Sequence, residues 1–425
     1  MSQTISPLNV TLRPDPGRWP DVAAVPRDRF RGAVARALFT RTAGRLPVRV
    51  TGPGGVAFGA GSKGSPVLTL RRPDDFYQRI GAAGLIGFGE SYMAGDWDCD
   101  DLTGLLTAFA SQVDTLVPRP LQALRRFYVR RAPAADDASE NNARRNIHRH
   151  YDLSNELFAV FLDETMTYSA ALFGEDAYGE PAAAADLLAG AQRRKIDRLL
   201  DLTGVGPSSR VLEIGTGWGE LAIRAAARGA QVLTVTLSQE QRALAAERIE
   251  RAGLGGRAVV ELRDYRQLTG RFDAILSVEM IEAVGARYWP DYFAALDRLL
   301  APGGRIGLQS ITMPHRRMMA TRYTHTWVLK YVFPGGLIPS VTAIERGAAG
   351  AGLRVAARHD FGAHYEQTLR LWREAFCAGQ DEVGRLGFDE VFARMWLLYL
   401  CYAEAGFRAR YLDVAQFLLV KEGAE

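Results

Sequence analysis

The sequence predicts an α/β protein in which a doubly wound, mostly parallel sheet forms the larger domain and a smaller α+β domain precedes it. Two observations support this fold class. From about residue 150 onward, short apolar segments alternate with segments of helical spacing, which is typical of a parallel sheet covered by helices. The first apolar segment, Val211-Leu-Glu-Ile, also runs through glycines at 215, 217 and 219 into a helix-like stretch.

The strand and helix candidates of the larger domain follow one another in a regular order. Five apolar segments are interpreted as strands, at 210–214, 230–236, 258–262, 272–278 and 304–310. Segments with helical spacing separate them, notably 219–228, 239–252 and 289–300. Ligands of such sheets bind beyond the carboxyl ends of the strands, so that edge is where site residues are expected.

The residues before this pattern divide into three parts. Residues 1–25 are rich in proline and polar residues and are interpreted as an arm, whereas 26–115 predict the small α+β domain. Residues 116–149 contain eight arginines among prolines and alanines. They are interpreted as a basic linker or as a segment that rests on anionic lipid head groups. The catalytic domain would then span 150–425.

Composition limits the class of protein. The chain has 425 residues, of which 48% are apolar and 24% charged, as expected for a folded protein with a full core. Its net charge of +4 fits an anionic surface or simply an arginine-rich composition. Three cysteines (Cys99, Cys377 and Cys401) have neither metal-ligand nor paired spacing, which favours a reducing compartment and no metal site. Without a signal peptide or an apolar run of spanning length, we expect a cytoplasmic protein that contacts membranes peripherally.

The glycine spacing indicates the kind of ligand. The pattern G-x-G-x-G at 215–219 differs from the G-x-G-x-x-G of pyrophosphate-binding turns. It favours a nucleoside cofactor without a diphosphate, such as S-adenosylmethionine, because glycine lets a ligand approach the backbone closely. Further candidate cofactor contacts lie at three strand ends: Glu213, Thr236, Leu237, Gln241, Asp264 and Tyr265. Gln241 also has capping-box spacing with Ser238, so helix capping is an alternative role.

Several longer motifs resemble one known family in their order along the chain. They begin with Gly89-Glu-Ser-Tyr-Met-Ala-Gly-Asp-Trp97 and continue with the runs His150–Ser169, Ser277–Gly285, Phe361–Leu369 and Cys401–Arg408. Together with the glycine turn they resemble the cyclopropane-fatty-acyl-phospholipid synthases over nearly the whole chain. The resemblance implies a Rossmann-like, S-adenosylmethionine-dependent methyltransferase domain that acts on cis double bonds in phospholipid acyl chains. It also implies a sterol-carrier-like N-terminal domain, for lipid docking or for formation of a homodimer.

The resemblance implies site residues as well. It adds Tyr168 and Ser169 to the cofactor contacts and includes Gly215 and Gly217 of the glycine pattern, which itself also offers Gly219. It places the acyl chain between the sheet and the helices after residue 315. The segment from Thr321 to Pro334 would be helical and supply aromatic side chains such as Trp327 to this channel.

In this family a bicarbonate ion held by Cys, Glu, His and Tyr removes a proton. Glu282 and Tyr365 match two of these positions, but Ala170 and Gln309 replace the cysteine and the histidine. Since glutamine cannot carry a positive charge, we expect bicarbonate to bind weakly or in a different arrangement.

The product depends on which proton is removed from the carbocation that methyl transfer leaves. Relatives that make 10-methylene or 10-methyl branched lipids are similar to this chain in an extra glutamate, here Glu279, which is interpreted as a polar partner in the site or as a structural carboxylate. We expect a methylene branch, which a separate reductase could reduce, with a cyclopropane ring as the alternative. His150 would hold the loop before the cofactor or transfer a proton.

Two other classes remain as rival hypotheses. A small-molecule or nucleic-acid methyltransferase is disfavoured because no Asn-Pro-Pro-Tyr-like motif occurs, and no nucleic-acid partner is expected. A non-enzymatic lipid-binding protein is disfavoured by the intact glycine turn.

Overall fold

The computed structural model describes residues 12–112, 154–174 and 185–423. The polypeptide divides into two compact units. Unit 1 comprises, of the described residues, 12–112, 325–332 and 372–411, and unit 2 comprises the remainder. Residues 325–332 and 372–411, expected in the catalytic domain, therefore group with the N-terminal residues. The expected linker 116–149 lies outside the described residues. Within them, no helix is both long and apolar enough to cross a membrane.

Unit 1 contains a four-stranded sheet with helices around it. The strands are β1 (Arg49–Thr51), β2 (Ala57–Phe58), β3 (Val67–Leu70) and β4 (Trp97–Cys99), in the order β2-β1-β3-β4. The helices are Pro20–Ala23, Arg29–Ala43, Pro73–Ala83, Leu85–Met93, Leu102–Ser111, Trp327–Tyr331, Gln380–Arg385 and Glu390–Arg408. The predicted α+β character of the N-terminal region is thus confirmed.

The motif that begins at Gly89 forms part of the unit 1 core. A Cβ atom on Gly89 would lie 2.3 Å from the indole of Trp327, so only glycine fits beneath this ring. Trp327 is 6% exposed, and its Nε1 donates to the sulfur of Met93. The expected helix from Thr321 to Pro334 is broken, because one helix ends at Thr321 and the next spans Trp327–Tyr331. Trp327 therefore packs as a core residue of unit 1.

Buried charges in unit 1 are paired. Arg79 is 3% exposed and donates to the carboxylate of Asp96 and to three backbone carbonyls before the helix Arg29–Ala43. Glu404, fully buried, accepts from Arg408 at 2.7 Å and from Arg373 at 2.7 Å. Pairing of this kind offsets the cost of removing charges from water.

Unit 2 is built on a seven-stranded sheet. Its strands are β5 (Arg210–Ile214), β6 (Gln231–Thr236), β7 (Ala258–Leu262), β8 (Phe272–Val278), β9 (Leu300–Thr312), β10 (Leu353–Asp360) and β11 (Asp413–Lys421). The order is β10-β11-β9-β8-β5-β6-β7. Strands β5 to β9 pair in parallel, and β11 pairs in antiparallel fashion with both β9 and β10. The doubly wound, mostly parallel sheet is therefore confirmed.

Helices pack on both faces of this sheet. They are Asn155–Phe161, Ala185–Thr203, Glu220–Ala227, Gln239–Arg251, Ile281–Val284, Trp289–Leu299, His315–Thr321, Val341–Gly350 and Gly362–Ala378, the last of which runs on into unit 1. One core forms where Trp289–Leu299 buries its apolar stripe against β8 and β9. A second core forms where Ala185–Thr203 and Glu220–Ala227 cover the other residues of β5 and β6. Burial of both faces explains why these strands are apolar throughout.

Candidate active site

The glycine turn after β5 has the backbone that its sequence requires. Gly215, Gly217 and Gly219 have φ angles of 96°, 50° and 92°, in the left-handed region that favours glycine. A Cβ atom on Gly215 would also lie 2.5 Å from the side chain of Met280. The Gly215 amide donates to the carbonyl of Val235 at 3.0 Å, which fixes the turn against β6. The helix Glu220–Ala227 then starts directly after Gly219.

The candidates at the next strand ends are held by local contacts. Thr236 donates to the side-chain oxygen of Gln241 at 2.9 Å, while Ser238 caps the following helix by accepting from the Gln241 amide at 3.1 Å. The capping interaction foreseen for this pair is therefore present. Asp264 accepts two bonds from the Arg266 guanidinium, and its neighbour Tyr265 lies edge-on to another tyrosine. Leu237 lies between Thr236 and Ser238 at the same edge of the sheet.

A loop upstream of the sheet is tied to the glycine turn. The Arg248 guanidinium donates to the carbonyl of Thr165 at 3.0 Å and to that of Trp218 at 2.7 Å. The rings of Trp218 and Tyr168 both pack on Phe158, with centroid distances of 4.9 Å and 5.2 Å. These contacts place Tyr168 and the residues after it next to the turn at which the cofactor is expected.

Three oxygen atoms near this loop are buried without a hydrogen-bond partner: Asp163 Oδ2, Gln192 Oε1 and Glu213 Oε2. Buried polar groups are nearly always paired in folded proteins, so unpaired acceptors point to a ligand that donates. S-adenosylmethionine carries a sulfonium, an ammonium group and ribose hydroxyls, which are complementary to such acceptors. The glycine turn and these three unpaired acceptor oxygens together fit S-adenosylmethionine.

Lys195 is a buried cation in the same region. It is 1% exposed, and its Nζ donates to the Ser169 hydroxyl at 2.6 Å. Burial lowers the pKa of Lys195 to about 8, an effect that the charges of Glu279, Asp163 and Glu213 oppose. Burial likewise raises the pKa of Glu213 to about 8. Lys195 therefore fixes the loop residue Ser169 and supplies positive charge among buried carboxyl groups.

Glu279 lies at the centre of the candidate catalytic site. Its Oε1 accepts from the Ala170 amide at 2.9 Å and from Gln309 Nε2 at 2.8 Å, and its Oε2 accepts from the Tyr365 hydroxyl at 2.7 Å. Its backbone has a φ of 53°, which is unusual for a residue other than glycine. Residues held in such conformations often lie at functional sites. The interpretation of Glu279 as a polar partner in the site is therefore favoured over that of a structural carboxylate.

The sheet register positions Gln309 beside Glu279. Gln309 of β9 pairs with Val278 of β8 on one side and with Gln416 of β11 on the other. The Glu279 amide also donates to the Gln309 carbonyl at 2.8 Å. Gln416 Nε2 donates to Gln309 Oε1 at 3.1 Å, and this directs the Gln309 amide nitrogen toward the Glu279 carboxylate. The glutamine amide orientation is thus determined by its neighbours on both sides.

Glu282 is the second carboxyl group of the site. Its Oε1 accepts from the Ile311 amide at 2.6 Å and from the Ser310 hydroxyl at 3.0 Å, whereas its Oε2 is buried without a partner. Burial and the neighbouring Glu279 raise the pKa of Glu282 to about 8. Burial also raises the pKa of Glu279, but the bond from Ala170, the charge of Lys195 and the bonds from Tyr365 and Gln309 lower it. The pKa of Glu279 nevertheless remains above that of an exposed glutamate. The three donors at its carboxylate favour the charged form more than the two donors at Glu282 do.

This arrangement does not fit a separately bound bicarbonate. The donors available from Ala170, Gln309 and Tyr365 all bind the Glu279 carboxylate. A carboxylate has the same planar pair of oxygens as bicarbonate. The expectation that bicarbonate binding is altered thus has a physical basis, because the protein's own carboxylate uses these donors.

The structure brings some of the residues singled out from the sequence together, and it places beside them others that the sequence did not single out. Glu279, Glu282, Gln309 and Tyr365 meet in unit 2, and Ser169 and Glu213 lie near them through Lys195, whereas His150 lies outside the described residues. The residues missed are Asp163, Gln192, Lys195 and Gln416. One signal was available for Lys195: only four of the 52 basic residues are lysines (Lys63, Lys195, Lys330 and Lys421). Among the described residues, no cluster suitable for a metal ion occurs.

The chain is similar to known proteins of one family. Residues 138–417 match the family model of mycolic acid cyclopropane synthetase. The chain is 56% identical over 413 residues to tuberculostearic acid methyltransferase UfaA1 of Mycobacterium tuberculosis, covering 96% of each chain. It is 34% identical to the cyclopropane-fatty-acyl-phospholipid synthase of Escherichia coli K12, over 82% of this chain and 86% of that one.

Solved structures extend the comparison to the fold and the cofactor. Mycolic acid cyclopropane synthase CmaA1, complexed with SAH and CTAB, is similar with a TM-score of 0.59 and 30% identity, over 65% of this chain and 97% of that one. Cyclopropane synthase MmaA2 of Mycobacterium tuberculosis gives the same TM-score and identity, over 65% and 98%. The Rossmann-like methyltransferase fold and the cofactor S-adenosylmethionine are thereby confirmed. The chain is an S-adenosylmethionine-dependent enzyme and belongs to the mycolic acid cyclopropane synthetase family.

Proposed function

We propose that the enzyme methylates a cis double bond in an unsaturated phospholipid acyl chain, such as an oleoyl chain, and releases a methylene-branched product. The observation that carries this proposal is the Glu279 carboxylate, which lies where its relatives' bicarbonate is expected and accepts from Ala170, Gln309 and Tyr365. The 56% identity to a tuberculostearic acid methyltransferase supports the branched product.

The residues of the cofactor site are assigned from the same contacts. Gly215, Gly217 and Gly219 allow close approach of the nucleoside, and Glu213, Gln192 and Asp163 offer buried acceptors to its donors. Tyr168, Ser169, Thr236, Leu237, Gln241, Asp264 and Tyr265 surround the position at which it would lie. S-adenosylmethionine bound there would supply an electrophilic methyl group with a neutral thioether as its leaving group.

The protein residues have separate tasks in the reaction. Aromatic faces such as Tyr168 and Tyr365 stabilise the positive charge that forms on the acyl chain when its alkene carbon bonds to the methyl group. A hydride then moves from the methyl-bearing carbon to the cationic carbon. Loss of a proton from the methyl group to Glu279 leaves a carbon–carbon double bond to a CH₂ group. Glu282, whose pKa is raised to about 8, would keep its proton at neutral pH. The three donors at Glu279 favour the charged form of its carboxylate, which would act as the base.

Cyclopropane formation is the second candidate. It removes a proton from the same methyl group but without the hydride shift, and the methyl carbon then bonds to both former alkene carbons. The 34% identity to the Escherichia coli synthase supports this outcome. The position of Glu279, which is a fixed side chain and not a mobile ion, favours the methylene branch.

The cellular setting completes the proposal. The enzyme would work in the cytoplasm, where S-adenosylmethionine is made, as a homodimer that associates peripherally with the inner face of the membrane. A separate reductase would convert the methylene branch to a methyl branch. The three cysteines, free in the structure, agree with a reducing compartment.

One experiment tests both the reaction and the base. The purified enzyme is incubated with S-adenosylmethionine and dioleoyl phospholipid in detergent, and the released fatty acids are analysed by mass spectrometry and NMR. We expect an exomethylene product, and a Glu279→Gln variant should lose activity by about 10²-fold or more while still binding the cofactor. A cyclopropane as the sole product would overturn the preferred branch. Near-normal turnover by the variant would overturn the role of Glu279.

A further inference from the structure

The helix Arg29–Ala43 in unit 1 exposes three of its four bulky apolar side chains, while the fourth, Phe39, packs on Phe76. Phe30, Val34 and Leu38 are 79%, 44% and 39% exposed. Their spacing of four residues places them on one face of the helix, and the alanines at 33 and 37 on the same face are exposed as well. An amphipathic helix of a soluble domain normally directs such a stripe into the core. Here the stripe points outward.

Close packing on the opposite face fixes this orientation. The buried residues of the helix are the small ones, Gly32, Ala35 and Ala43. A Cβ atom on Gly32 would lie 3.2 Å from the Gln78 side chain, and one on Gly81 would lie 2.6 Å from the Arg31 backbone. The helix therefore packs on the helix Pro73–Ala83 through these small residues and Phe39, whose ring lies 5.0 Å from that of Phe76. A rotation that buried Phe30, Val34 and Leu38 would not fit.

The sequence around the stripe is predominantly positive. Residues 27–49 contain seven arginines (Arg27, Arg29, Arg31, Arg36, Arg41, Arg45 and Arg49) and one acidic residue, Asp28. Asp28 caps the helix by accepting from the Arg31 amide at 3.0 Å and pairs with the Arg31 side chain at 3.2 Å. Arg41 and Arg45 are exposed where the stripe ends.

We propose that Phe30, Val34 and Leu38 form, with the surrounding arginines, a docking surface for an anionic phospholipid bilayer. A helix that lies in the membrane interface typically has apolar side chains with arginines beside them. The apolar groups insert below the lipid head groups, and the guanidinium groups bind the phosphates. A second copy of the chain is a poorer occupant, because a twofold contact through this surface would bring like charges together. The inference rests on the proposed function, which makes a phospholipid acyl chain the substrate.

Vesicle binding tests the surface independently of the chemistry. Sedimentation with vesicles of saturated phosphatidylglycerol, which lack the reacting double bond, should pull down the full-length protein. A Phe30→Ser/Val34→Ser/Leu38→Ser variant should bind at least tenfold more weakly, and Arg41→Glu/Arg45→Glu should lose the preference for anionic over neutral vesicles. Val259→Ser is the matched control, since Val259 is 55% exposed on β7 of unit 2.

The outcomes separate this proposal from the proposed function. Turnover of oleoyl phospholipid dispersed in detergent should be unchanged in the serine variant, which shows that the variant is folded. Equal vesicle binding by the variant and the wild type would overturn the docking surface. So would a change in sedimentation velocity without a change in vesicle binding, which would identify a second copy as the occupant. Wild-type protein that binds vesicles but converts no lipid would count against the proposed function alone.

Discussion

Glu279 and Gln309 are joined twice, by a side-chain bond of 2.8 Å from Gln309 Nε2 to Glu279 Oε1 and by a backbone bond of 2.8 Å in the other direction. The carboxylate therefore cannot shift without breaking a contact between β9 and the end of β8. This double attachment holds Glu279, the proposed base, in a fixed position.

Replacement of Glu279 by glycine should convert the fixed base into an exchangeable one. Glycine suits the φ of 53°, and its lack of a side chain leaves three donors without their acceptor. We expect turnover to fall by about 10²-fold and to recover at least tenfold in millimolar bicarbonate or formate. Product formation is measured against anion concentration.

The control for this rescue is Glu279→Gln, whose side chain fills the same space. It should stay inactive at every anion concentration, because no room remains for a second carboxylate. Equal recovery of both variants, or of neither, would contradict the idea that the donors of Ala170, Gln309 and Tyr365 form an anion site.

Replacement of Lys195 by methionine should change the pH dependence of turnover. The Lys195 charge lowers the pKa of Glu279, so its removal should raise that pKa and move the acidic limb of the rate profile to higher pH. The rate is measured from pH 5 to 9. Lys421→Met is the matched control, because the Lys421 ammonium group pairs with Asp297 at 2.7 Å and not with the carboxyl groups of the site. If the rate instead falls by the same factor at every pH, Lys195 has a structural role.

The buried Glu213 should make stability depend on pH. Its pKa is raised to about 8, so between the unfolded value of about 4.3 and pH 8 the unfolded state ionises while the folded state keeps its proton. Its contribution to stability is therefore complete below about pH 4 and is progressively lost up to about pH 8. Relative to wild type, Glu213→Gln should become more stable as pH rises, as measured by urea denaturation. If the free energies of unfolding of the two proteins change with pH in the same way, this expectation is wrong.

The glycine beneath Trp327 gives a test of packing in unit 1. Gly89→Ala would place a methyl group 2.3 Å from the indole, and we expect a loss of about 1–3 kcal/mol in the free energy of unfolding. Combining it with Trp327→Leu should recover part of the loss, since the smaller side chain makes room. Thermal unfolding measures both variants, with Gly190→Ala as control because no atom lies within 4 Å of a Cβ there.

Much of the fold could be predicted because its signals are local. The segments 210–214, 258–262 and 272–278 coincide with β5, β7 and β8, since strands buried on both faces are continuously apolar. Strand β10 was missed because it lies at the sheet edge, where Arg354, Arg358 and Asp360 interrupt the apolar pattern.

The site was only partly predictable for a different reason. Glu282 and Tyr365 could be recognised within longer motifs. Lys195 could not, because it lies between arginines on a helix whose pattern is typical of a solvated face. Its burial follows from long-range packing, and so does the contact between Gln309 and Gln416, which are 107 positions apart in the chain. No local pattern carries that information.

The left-handed backbone at Glu279 has an evolutionary consequence. The codons for glutamate and glycine differ by one nucleotide, and glycine is the residue that this conformation accepts most readily. A single point mutation between glutamate and glycine could therefore exchange a carboxylate of the protein for a bound anion from solution, without a change in the backbone. The step between two lineages of lipid-modifying enzymes, one dependent on dissolved carbonate and one independent of it, would be short.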